Sequence, residues 1–252
     1  EQNGGGVTKY VNVAEQPIAD FVVTETFCLT TQGIFADNTS VFGQWGLPPD
    51  NNLNVEAGTC NSLTKFQWTV YPPGSFFGDE VVDPAYLIGA MNLDSDGWAE
   101  GDPNNGGYVD LNLPASYVNE PGCWRIRLRA KNPSVCTGVE TKIIEINVEE
   151  NIEPSFNIVD ESNNVVSEIC LGETVQFDDT TSYEQCDGSE FSWSIVNSSG
   201  LASGFTYVDP DDSTTQEPFV NFNVADTYTI TQTITNTCGV FTSSQELLVQ
   251  GQ

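Results

Sequence analysis

The chain has 252 residues, 38% of them hydrophobic, together with 22 glycines, which is the composition of a globular protein long enough for two ordinary domains. Its 7 Lys and Arg residues stand against 36 Asp and Glu residues, so the net charge is −29. Nucleic acid and anionic lipid surfaces are therefore excluded as favourable partners, because both would be repelled. No apolar run reaches the roughly 18 residues that a membrane-spanning helix needs, and we predict no membrane insertion.

Four blocks of sequence recur in the same order in the two halves of the chain. The first block lies without gaps over residues 27–40 and 169–182, and both copies begin with an apolar residue followed by Cys-Leu. The next blocks match residues 65–70 with 190–195, 108–113 with 219–224, and 123–132 with 227–236. Four matches in one order indicate two copies of one module.

The start of the chain is similar to the end of the first copy. A strand-like segment at 9–13 precedes Pro17, as the segment 144–148 precedes Pro154. We therefore predict three parts. Residues 1–16 are the terminal strand of a preceding repeat or a linker, residues 17–150 are one β-sandwich with long loop insertions, and residues 151–252 are a second sandwich. Both junctions are acidic and contain proline, as linkers often do.

Short strands with alternating apolar and polar residues dominate the pattern. The clearest is Trp124–Ala130, in which apolar residues face one way and three arginines face the other. We expect Lys142–Val148, which alternates in the same manner, to pair with it. Clusters of Gly, Pro, Asn, Asp and Ser separate the strands, and no amphipathic helix is evident. This pattern predicts an all-β chain made of two β-sandwiches.

Two matching segments carry a resemblance to a known family. Trp68 and Trp193 lie in Phe-Gln-Trp-Thr-Val and Phe-Ser-Trp-Ser-Ile, each followed much later by an aromatic residue that opens a strand and an Asn that ends it. This pattern resembles the PKD domain, an immunoglobulin-like sandwich found in tandem on cell surfaces. The Cys-Leu-Gly-x-Thr-Val-x-Phe opening of the second copy at 170–177, with a cysteine after Asn236, is similar to the PKD-like repeats of Bacteroidota surface proteins. Within this group, we take the chain to resemble the repeats of the giant gliding-motility adhesins.

The resemblance covers residues 17–252 and implies two tandem immunoglobulin-like (PKD-like) β-sandwich domains. Trp68 and Trp193 would then be buried core residues without a ligand role. The Trp-x-Phe-Gly-Asp-Gly string that is usual in the family is absent from both copies. Properties that depend on that acidic turn are therefore not expected here.

Seven cysteines favour an exported, disulfide-bonded chain. In a sandwich of the implied type, the loops before strand C and after strand F share one end, and the starts of strands B and F lie near the other. This implies three bridges, namely Cys60–Cys136, Cys186–Cys238 and Cys28–Cys123. Cys170 takes the place of Cys28 in the second copy, but Thr227 stands where Cys123 would be. We therefore predict that Cys170 is a free, partly buried thiol. Zinc is not expected, because no Cys-x-x-Cys pair exists.

The most distinctive acidic stretch is residues 92–105, which contains Asp94, Asp96 and Asp102. Carboxylates at alternating positions next to a glycine suit calcium coordination. The spacing departs from the twelve-residue EF-hand loop, however, and no helix is expected on either side. Two interpretations remain: a calcium site at these three aspartates, or a polar surface insertion. No other cofactor is expected.

No constellation of residues indicates catalysis. The chain has no histidine to activate a serine or cysteine and no Gly-x-Ser-x-Gly, and its many carboxylates are more simply explained as surface charge. We predict that it is not an enzyme. Five aromatic residues in the loops of the first copy either pack over the sandwich or form a platform for a surface polysaccharide: Trp45, Tyr71, Phe76, Phe77 and Trp98.

The resemblance implies a function as non-catalytic structural spacer modules of a large secreted cell-surface adhesin involved in adhesion and gliding motility. The expected location is extracellular, at the outer-membrane surface of a bacterium. The expected partners are neighbouring repeats of the same chain, with surface polysaccharide as a further candidate. The alternatives are a carbohydrate-binding module, or accessory PKD-like domains of a secreted polysaccharide hydrolase or protease.

Overall fold

The structure, a computed structural model, describes residues 16–29, 33–42, 44–45, 58–59, 64–75, 82–133, 138–183 and 188–251. The chain divides into two compact units, one formed by Glu1–Glu25 with Thr31–Ile146, the other by Thr26–Thr30 with Asn147–Gln252. Of residues 1–16, predicted as the terminal strand of a preceding repeat or a linker, residues 1–15 lie outside the described residues. Within those residues, no helix has the length and apolar character needed to cross a membrane.

The described residues between Phe21 and Glu149 form twelve strands. They are β1 (Phe21–Val23), β2 (Thr26–Cys28), β3 (Ile34–Asn38), β4 (Gln44–Trp45), β5 (Gly58–Thr59), β6 (Lys65–Tyr71), β7 (Leu87–Ile88), β8 (Ala90–Leu93), β9 (Ala99–Gly101), β10 (Asp110–Leu113), β11 (Gly122–Lys131) and β12 (Glu140–Glu149). One sheet of the first unit has the order β1-β3-β10-β7, and the other runs β12-β11-β6-β9-β8. Strands β4 and β5 pair separately, and short 3₁₀ helices span Pro84–Tyr86 and Pro103–Asn105.

Eight further strands lie among the described residues after Glu149. They are β13 (Phe156–Val159), β14 (Glu168–Cys170), β15 (Thr174–Asp179), β16 (Glu190–Asn197), β17 (Phe205–Tyr207), β18 (Phe219–Phe222), β19 (Thr227–Asn236) and β20 (Gly239–Gln250). The two sheets have the orders β13-β15-β18-β17 and β14-β20-β19-β16. Strand β14 runs parallel to the end of β20, and β2 runs parallel to the last residues of β12 in the same way.

The strand orders are those of an immunoglobulin-like sandwich. With the strands of the second unit lettered along the chain, β13 is A, β14 is A′, and β15 to β20 are B to G. One sheet is then A-B-E-D and the other A′-G-F-C. The first unit repeats this order with β1, β3, β7 and β10 as A, B, D and E, and with β6, β11 and β12 as C, F and G. The prediction of an all-β chain with two tandem immunoglobulin-like sandwiches is therefore confirmed.

The first unit closes around Trp68 on β6. The indole ring is buried and packs edge to face on Phe21, with 5.0 Å between the ring centroids. Its Nε1 donates a hydrogen bond of 2.7 Å to the carbonyl of Val109 in the segment that leads into β10. One side chain thus fills the core and ties the two sheets together.

Trp193 on β16 does the same in the second unit. It is buried between Phe156 and Phe177, with ring centroids 4.9 and 5.0 Å away. Its Nε1 donates to the carbonyl of Thr215 at 2.9 Å, in the segment that precedes β18. Both copies therefore place the tryptophan in the same packing and hydrogen-bonding role.

A second repeated device lies near the start of strand F. Tyr228 donates its hydroxyl to the carbonyls of Val224, four residues earlier, at 2.9 Å and of Gly204 at 3.1 Å. This is the tyrosine corner of immunoglobulin-like folds. Trp124 takes its place in the first unit, and its Nε1 donates to the carbonyl of Glu120, again four residues earlier, at 3.0 Å. Gly204 has a φ of +89° and leaves room for the hydroxyl, since a Cβ there would collide with it.

The gap-free match of residues 27–40 with 169–182 is wrong by one residue in strand B. Phe21 pairs with Asn38, whereas Phe156 pairs with Asp179, so Asn38 corresponds to Asp179 and not to residue 180. The segment that enters strand B therefore differs in length by one residue between the copies. A shift of one residue reverses the face of every side chain in a strand. Phe35 is accordingly 51% exposed, while Phe177 is fully buried.

Candidate functional site

The site with the most distinctive chemistry in the second unit is a disulfide at the tip of its last hairpin. Cys28 is the last residue of β2, opposite Glu149 in the parallel pair with β12. Its sulfur is bonded to Cys238, which lies in the two-residue turn between β19 and β20. The two Cα atoms are 5.0 Å apart, and the bridge joins residues separated by 210 positions.

Hydrogen bonds to Glu149 hold the same hairpin tip. The buried Glu149 carboxylate accepts hydrogen bonds from the backbone N–H of Thr237 at 2.7 Å and from its hydroxyl at 2.5 Å. Its other oxygen accepts from the amide of Asn147 at 2.8 Å, and Asn236 donates to the carbonyl of Glu150 at 2.9 Å. Three donors satisfy one buried carboxylate, which such a group requires. Nothing in the sequence singles Glu149 out among 36 acidic residues.

The predicted pairings Cys28–Cys123 and Cys186–Cys238 are wrong, because each sulfur forms a single disulfide and Cys28 is bonded to Cys238. The prediction kept every bridge inside one sequence copy. The segment Thr26–Thr30 instead belongs to the second unit, where β2 brings Cys28 to the hairpin tip. Cys123 is also disulfide-bonded. The remaining predicted bridge residues, Cys60, Cys136 and Cys186, lie outside the described residues.

Cys170 occupies the place in the second copy that Cys28 occupies in the first. It is the last residue of β14, opposite Gln250 in the parallel pair with β20. Its thiol is free and exposed. The expectation of partial burial is wrong, because Ile169 takes the inward position of this short strand and Cys170 points to the other side.

Two of the three aspartates of the candidate calcium site cap their own turns, and Asp96 accepts a hydrogen bond of 3.4 Å from the Ser95 hydroxyl. Asp94 accepts hydrogen bonds from the backbone N–H groups of Asp96 and Trp98 at 3.1 and 2.9 Å. Asp102 accepts from the backbone and side chain of Asn104 at 2.8 and 3.1 Å and caps the second 3₁₀ helix. No group of three metal-ligand side chains lies together among the described residues. The structure does not bring Asp94, Asp96 and Asp102 together as calcium ligands.

Electrostatics explain the charged state of Asp94. Burial acts to raise the pKa of its carboxyl, but the hydrogen bonds from Trp98 and Asp96 and the nearby Lys65 outweigh burial and hold the pKa below its ordinary value. The Lys65 ammonium lies 3.7 Å from Asp94 and 3.0 Å from Glu100. The acidic stretch is thus fastened to strand β6 by an ion pair.

Most of the positive charge of the chain lies on one sheet face of the first unit. The outward face of β6 and β11 carries five of the seven Lys and Arg residues: Lys65, Arg125, Arg127, Arg129 and Lys131. Trp98, only 5% exposed, lies beneath two of them, with the Arg129 guanidinium carbon 5.2 Å and the Lys131 ammonium 3.8 Å from its ring centroid. Burial lowers the pKa of Lys131. These contacts are cation–π interactions, and they cover the indole ring.

Of the five loop aromatic residues that were candidates for a polysaccharide platform, the structure describes the side chains of Trp98 and Tyr71. Trp98 packs under cations and offers no open platform for a sugar ring. Tyr71 is half-buried, with the Arg127 guanidinium 5.4 Å from its ring centroid. The side chains of Trp45, Phe76 and Phe77 lie outside the described residues.

Two cations on this face remain available to an anion. In the described part of the chain, neither Arg129 nor Lys131 lies within 4.0 Å of a carboxylate. Arg129 donates instead to the neutral side chain of Gln67 at 2.9 Å. The arrangement can therefore attract a single anionic group, although the chain as a whole is strongly acidic.

Comparisons with known proteins return similarities of fold at low sequence identity. No family model and no curated protein matches the chain. The four N-terminal immunoglobulin domains of a Dscam1 isoform share 12% identity, cover 94% of this chain and 52% of that one, and give a TM-score of 0.44. A fragment of the titin I-band shares 12% identity, with coverage of 94% and 66% and a TM-score of 0.42. A SusE-like surface-located polysaccharide-binding protein of Bacteroides thetaiotaomicron shares 10%, with coverage of 94% and 34% and a TM-score of 0.29.

The chain spans 66% of the matched titin fragment and smaller shares of the other two proteins. The strand order defines the class to which it belongs, which is tandem immunoglobulin-like β-sandwiches.

Proposed function

We propose that the chain is a pair of non-catalytic structural spacer modules of a large secreted surface adhesin. Each unit has the strand set and buried tryptophan of a complete sandwich. In addition, the Cys28–Cys238 disulfide encloses most of the sequence in one covalent loop. This loop is the observation that carries the proposal, because it determines how the chain responds to tension.

A chain that is pulled from its two ends transmits force through the disulfide and not through the residues that it encloses. An unfolded segment extends by at most about 3.3–3.6 Å per residue, so the separation of 210 positions corresponds to roughly 700 Å of extension that the bridge prevents. Without the bridge, strand pairing and the disulfide of Cys123 would have to resist the same force. A spacer that carries load benefits from this bypass.

Single-molecule pulling of the 252-residue chain from both termini tests this function. The oxidised chain should lengthen only through the short segments outside the bridge. The chain in a reducing agent should lengthen by about 700 Å more. The Cys28→Ser variant should also lengthen, but by a smaller amount, because the disulfide of Cys123 remains closed. The Cys170→Ser variant is the matched control and should behave as the oxidised parent, because Cys170 is not in a disulfide. Full lengthening of the oxidised parent would contradict the proposal.

The cell-surface part of the proposal follows from the resemblance of the two copies to PKD-like repeats of Bacteroidota gliding adhesins. The charge of −29 supports it, since like-charged filaments repel one another and remain soluble. The proposed location is the bacterial outer-membrane surface, and the proposed partners are neighbouring repeats. Antibody labelling of intact cells, and the motility of a strain without the parent gene, test this part. Internal labelling, or unchanged gliding, would count against it.

A second candidate function is binding of an acidic surface polysaccharide. Arg129 and Lys131, which have no carboxylate within 4.0 Å in the described part of the chain, favour it. Arg129→Gln and Lys131→Gln should then weaken the retention of the chain on a uronate-containing polysaccharide at low salt, without affecting a neutral one. Lys142→Gln is the control, because Lys142 lies 3.4 Å from Asp20 in an exposed ion pair away from this face. Equal retention of all variants would exclude this surface.

A further inference from the structure

Cys28 and Cys170 occupy equivalent positions in two copies of one strand pair. Each is the last residue of an A′ strand that runs parallel to the end of strand G, Cys28 opposite Glu149 and Cys170 opposite Gln250. The next residue continues the equivalence. Leu29 donates to the carbonyl of Glu149 at 2.7 Å, and Leu171 donates to the carbonyl of Gln250 at 2.9 Å. The backbone therefore presents both cysteines in the same way.

The two cysteines differ in what they are bonded to. Cys28 is joined to Cys238, at the tip of an F–G hairpin that belongs to the copy following it in the sequence. Cys170 is free and exposed. If Cys170, like Cys28, pairs with the F–G hairpin cysteine of the copy that follows its own, its partner would lie in a copy that follows residues 151–252.

A hydrogen-bond acceptor for the hairpin backbone also lies opposite Cys170. In the first pair, the Glu149 carboxylate receives the N–H and hydroxyl of Thr237 beside the disulfide. Gln250 takes the place of Glu149 in the second copy. Its Nε2 donates to Glu168 at 2.9 Å, and its Oε1 accepts no hydrogen bond among the described residues. An amide oxygen accepts hydrogen bonds just as a carboxylate oxygen does. The second copy therefore keeps a hydrogen-bond acceptor at this position.

We propose that Cys170 is the attachment point for the F–G hairpin of a further copy of this module, through a disulfide equivalent to Cys28–Cys238. The inference rests on the proposed function as modules of a tandem array. In such an array each module would be covalently linked to the next, and tension would pass along a series of disulfides. The partner is thus a second immunoglobulin-like module with a cysteine in its last hairpin turn.

Formation of the bond is an oxidation and needs an acceptor for two electrons. Oxidised glutathione is sufficient. The Cys170 thiolate attacks one glutathione sulfur and releases a reduced glutathione molecule, and the hairpin thiolate then attacks the Cys170 sulfur of the mixed disulfide and releases the second. Two thiols lose two protons and two electrons, and one disulfide of glutathione becomes two thiols.

A three-module chain tests the proposal. A second copy of residues 152–252 is joined directly after Gln252, so that Gln252 takes the place that Asn151 has in the natural junction. After equilibration with a mixture of oxidised and reduced glutathione, the chain is alkylated and mapped without reduction. We expect a peptide that links Cys170 to the added copy of Cys238, and loss of alkylation at Cys170. The added copy of Cys170 should remain alkylated.

The control is the same three-module chain with serine in the added copy of Cys238, in which Cys170 should be alkylated again. In every sample, the peptide that links Cys28 to Cys238 shows that the natural disulfide has formed. An alkylated Cys170 in a chain that retains this peptide would overturn the proposal, and so would a Cys170–Cys170 link between two chains. The pulling experiment depends on the Cys28–Cys238 bridge and not on a bond formed by Cys170, so failure of this inference and failure of the spacer function are distinguishable.

Discussion

Replacement of Trp193 by alanine is the most informative perturbation of the core. The side chain is 4% exposed and lies between Phe156 and Phe177, with ring centroids 4.9 and 5.0 Å away. Large aromatic-to-alanine changes in a core cost about 3–5 kcal/mol, because the neighbours fill the cavity only in part. The change also leaves the Thr215 carbonyl without the indole N–H, which adds about 1 kcal/mol. We expect a loss of about 4–6 kcal/mol, a large part of the 5–15 kcal/mol that usually stabilises a domain.

Hydrogen exchange measured by mass spectrometry reports this loss for each unit separately. Amides of β16 and β19 should exchange faster in Trp193→Ala, by the factor that corresponds to the lost free energy of unfolding, whereas amides of β6 and β11 should keep their rates. Trp193→Phe is the matched control, since it retains a ring in the core and removes the N–H. It should cost about 1–2 kcal/mol. A loss below about 1 kcal/mol for Trp193→Ala would refute the assigned role of this residue in the core.

Three further predictions concern Tyr228, Asp179 and Cys170 of the second unit. Tyr228→Phe should cost the second unit about 1–3 kcal/mol in a urea titration, because the carbonyls of Val224 and Gly204 lose the hydroxyl that they share; an unchanged midpoint would show that the corner is dispensable. Burial acts to raise the pKa of the Asp179 carboxyl, but hydrogen bonds from neighbouring side chains outweigh burial and lower this pKa below its ordinary value of 3.8. The ionised carboxylate therefore stabilises the second unit fully above pH 3.8, and this stabilisation is lost as the pH falls through the lowered pKa. Asp179→Asn should therefore reduce the acid sensitivity of the second unit, measured as unfolding against pH, and an unaltered acid profile would contradict this account. Iodoacetamide should label Cys170 in the native chain without denaturant, with Cys170→Ser as control, and labelling only after unfolding would show that the thiol is buried.

In the first unit, the alternation of apolar and polar residues along a strand is sufficient to predict which side chains are buried. In β11 every residue assigned inward from the sequence is buried and the three arginines are half-buried on the other face, because side chains of a strand alternate strictly and only one face joins the core. The two Phe-x-Trp segments likewise identify strand C in both copies. A large aromatic residue with a single polar atom is suited to a position where the ring is buried and the N–H meets a backbone carbonyl. Periodicity and composition are local properties, so the sequence carries them directly.

Register and pairing across the sandwich are not local. The one-residue difference before strand B, which exposes Phe35 and buries Phe177, follows from how β3 and β15 pair with their neighbours. In the same way, Asp94 serves a turn and an ion pair with Lys65 because β6 passes beneath it, and its spacing from other aspartates has no part in this.

The cysteines show the same division most clearly. The sequence by itself determined that two copies of one module each carry a cysteine before strand B and another after strand F. Only the tertiary structure decided that Cys28 is bonded to Cys238 of the following copy. The physical reason is that a disulfide requires two Cα atoms within about 4.4–6.8 Å, and this proximity arises from the pairing of β2 with the end of β12 beside the last hairpin. Distance along the chain contains no information about it.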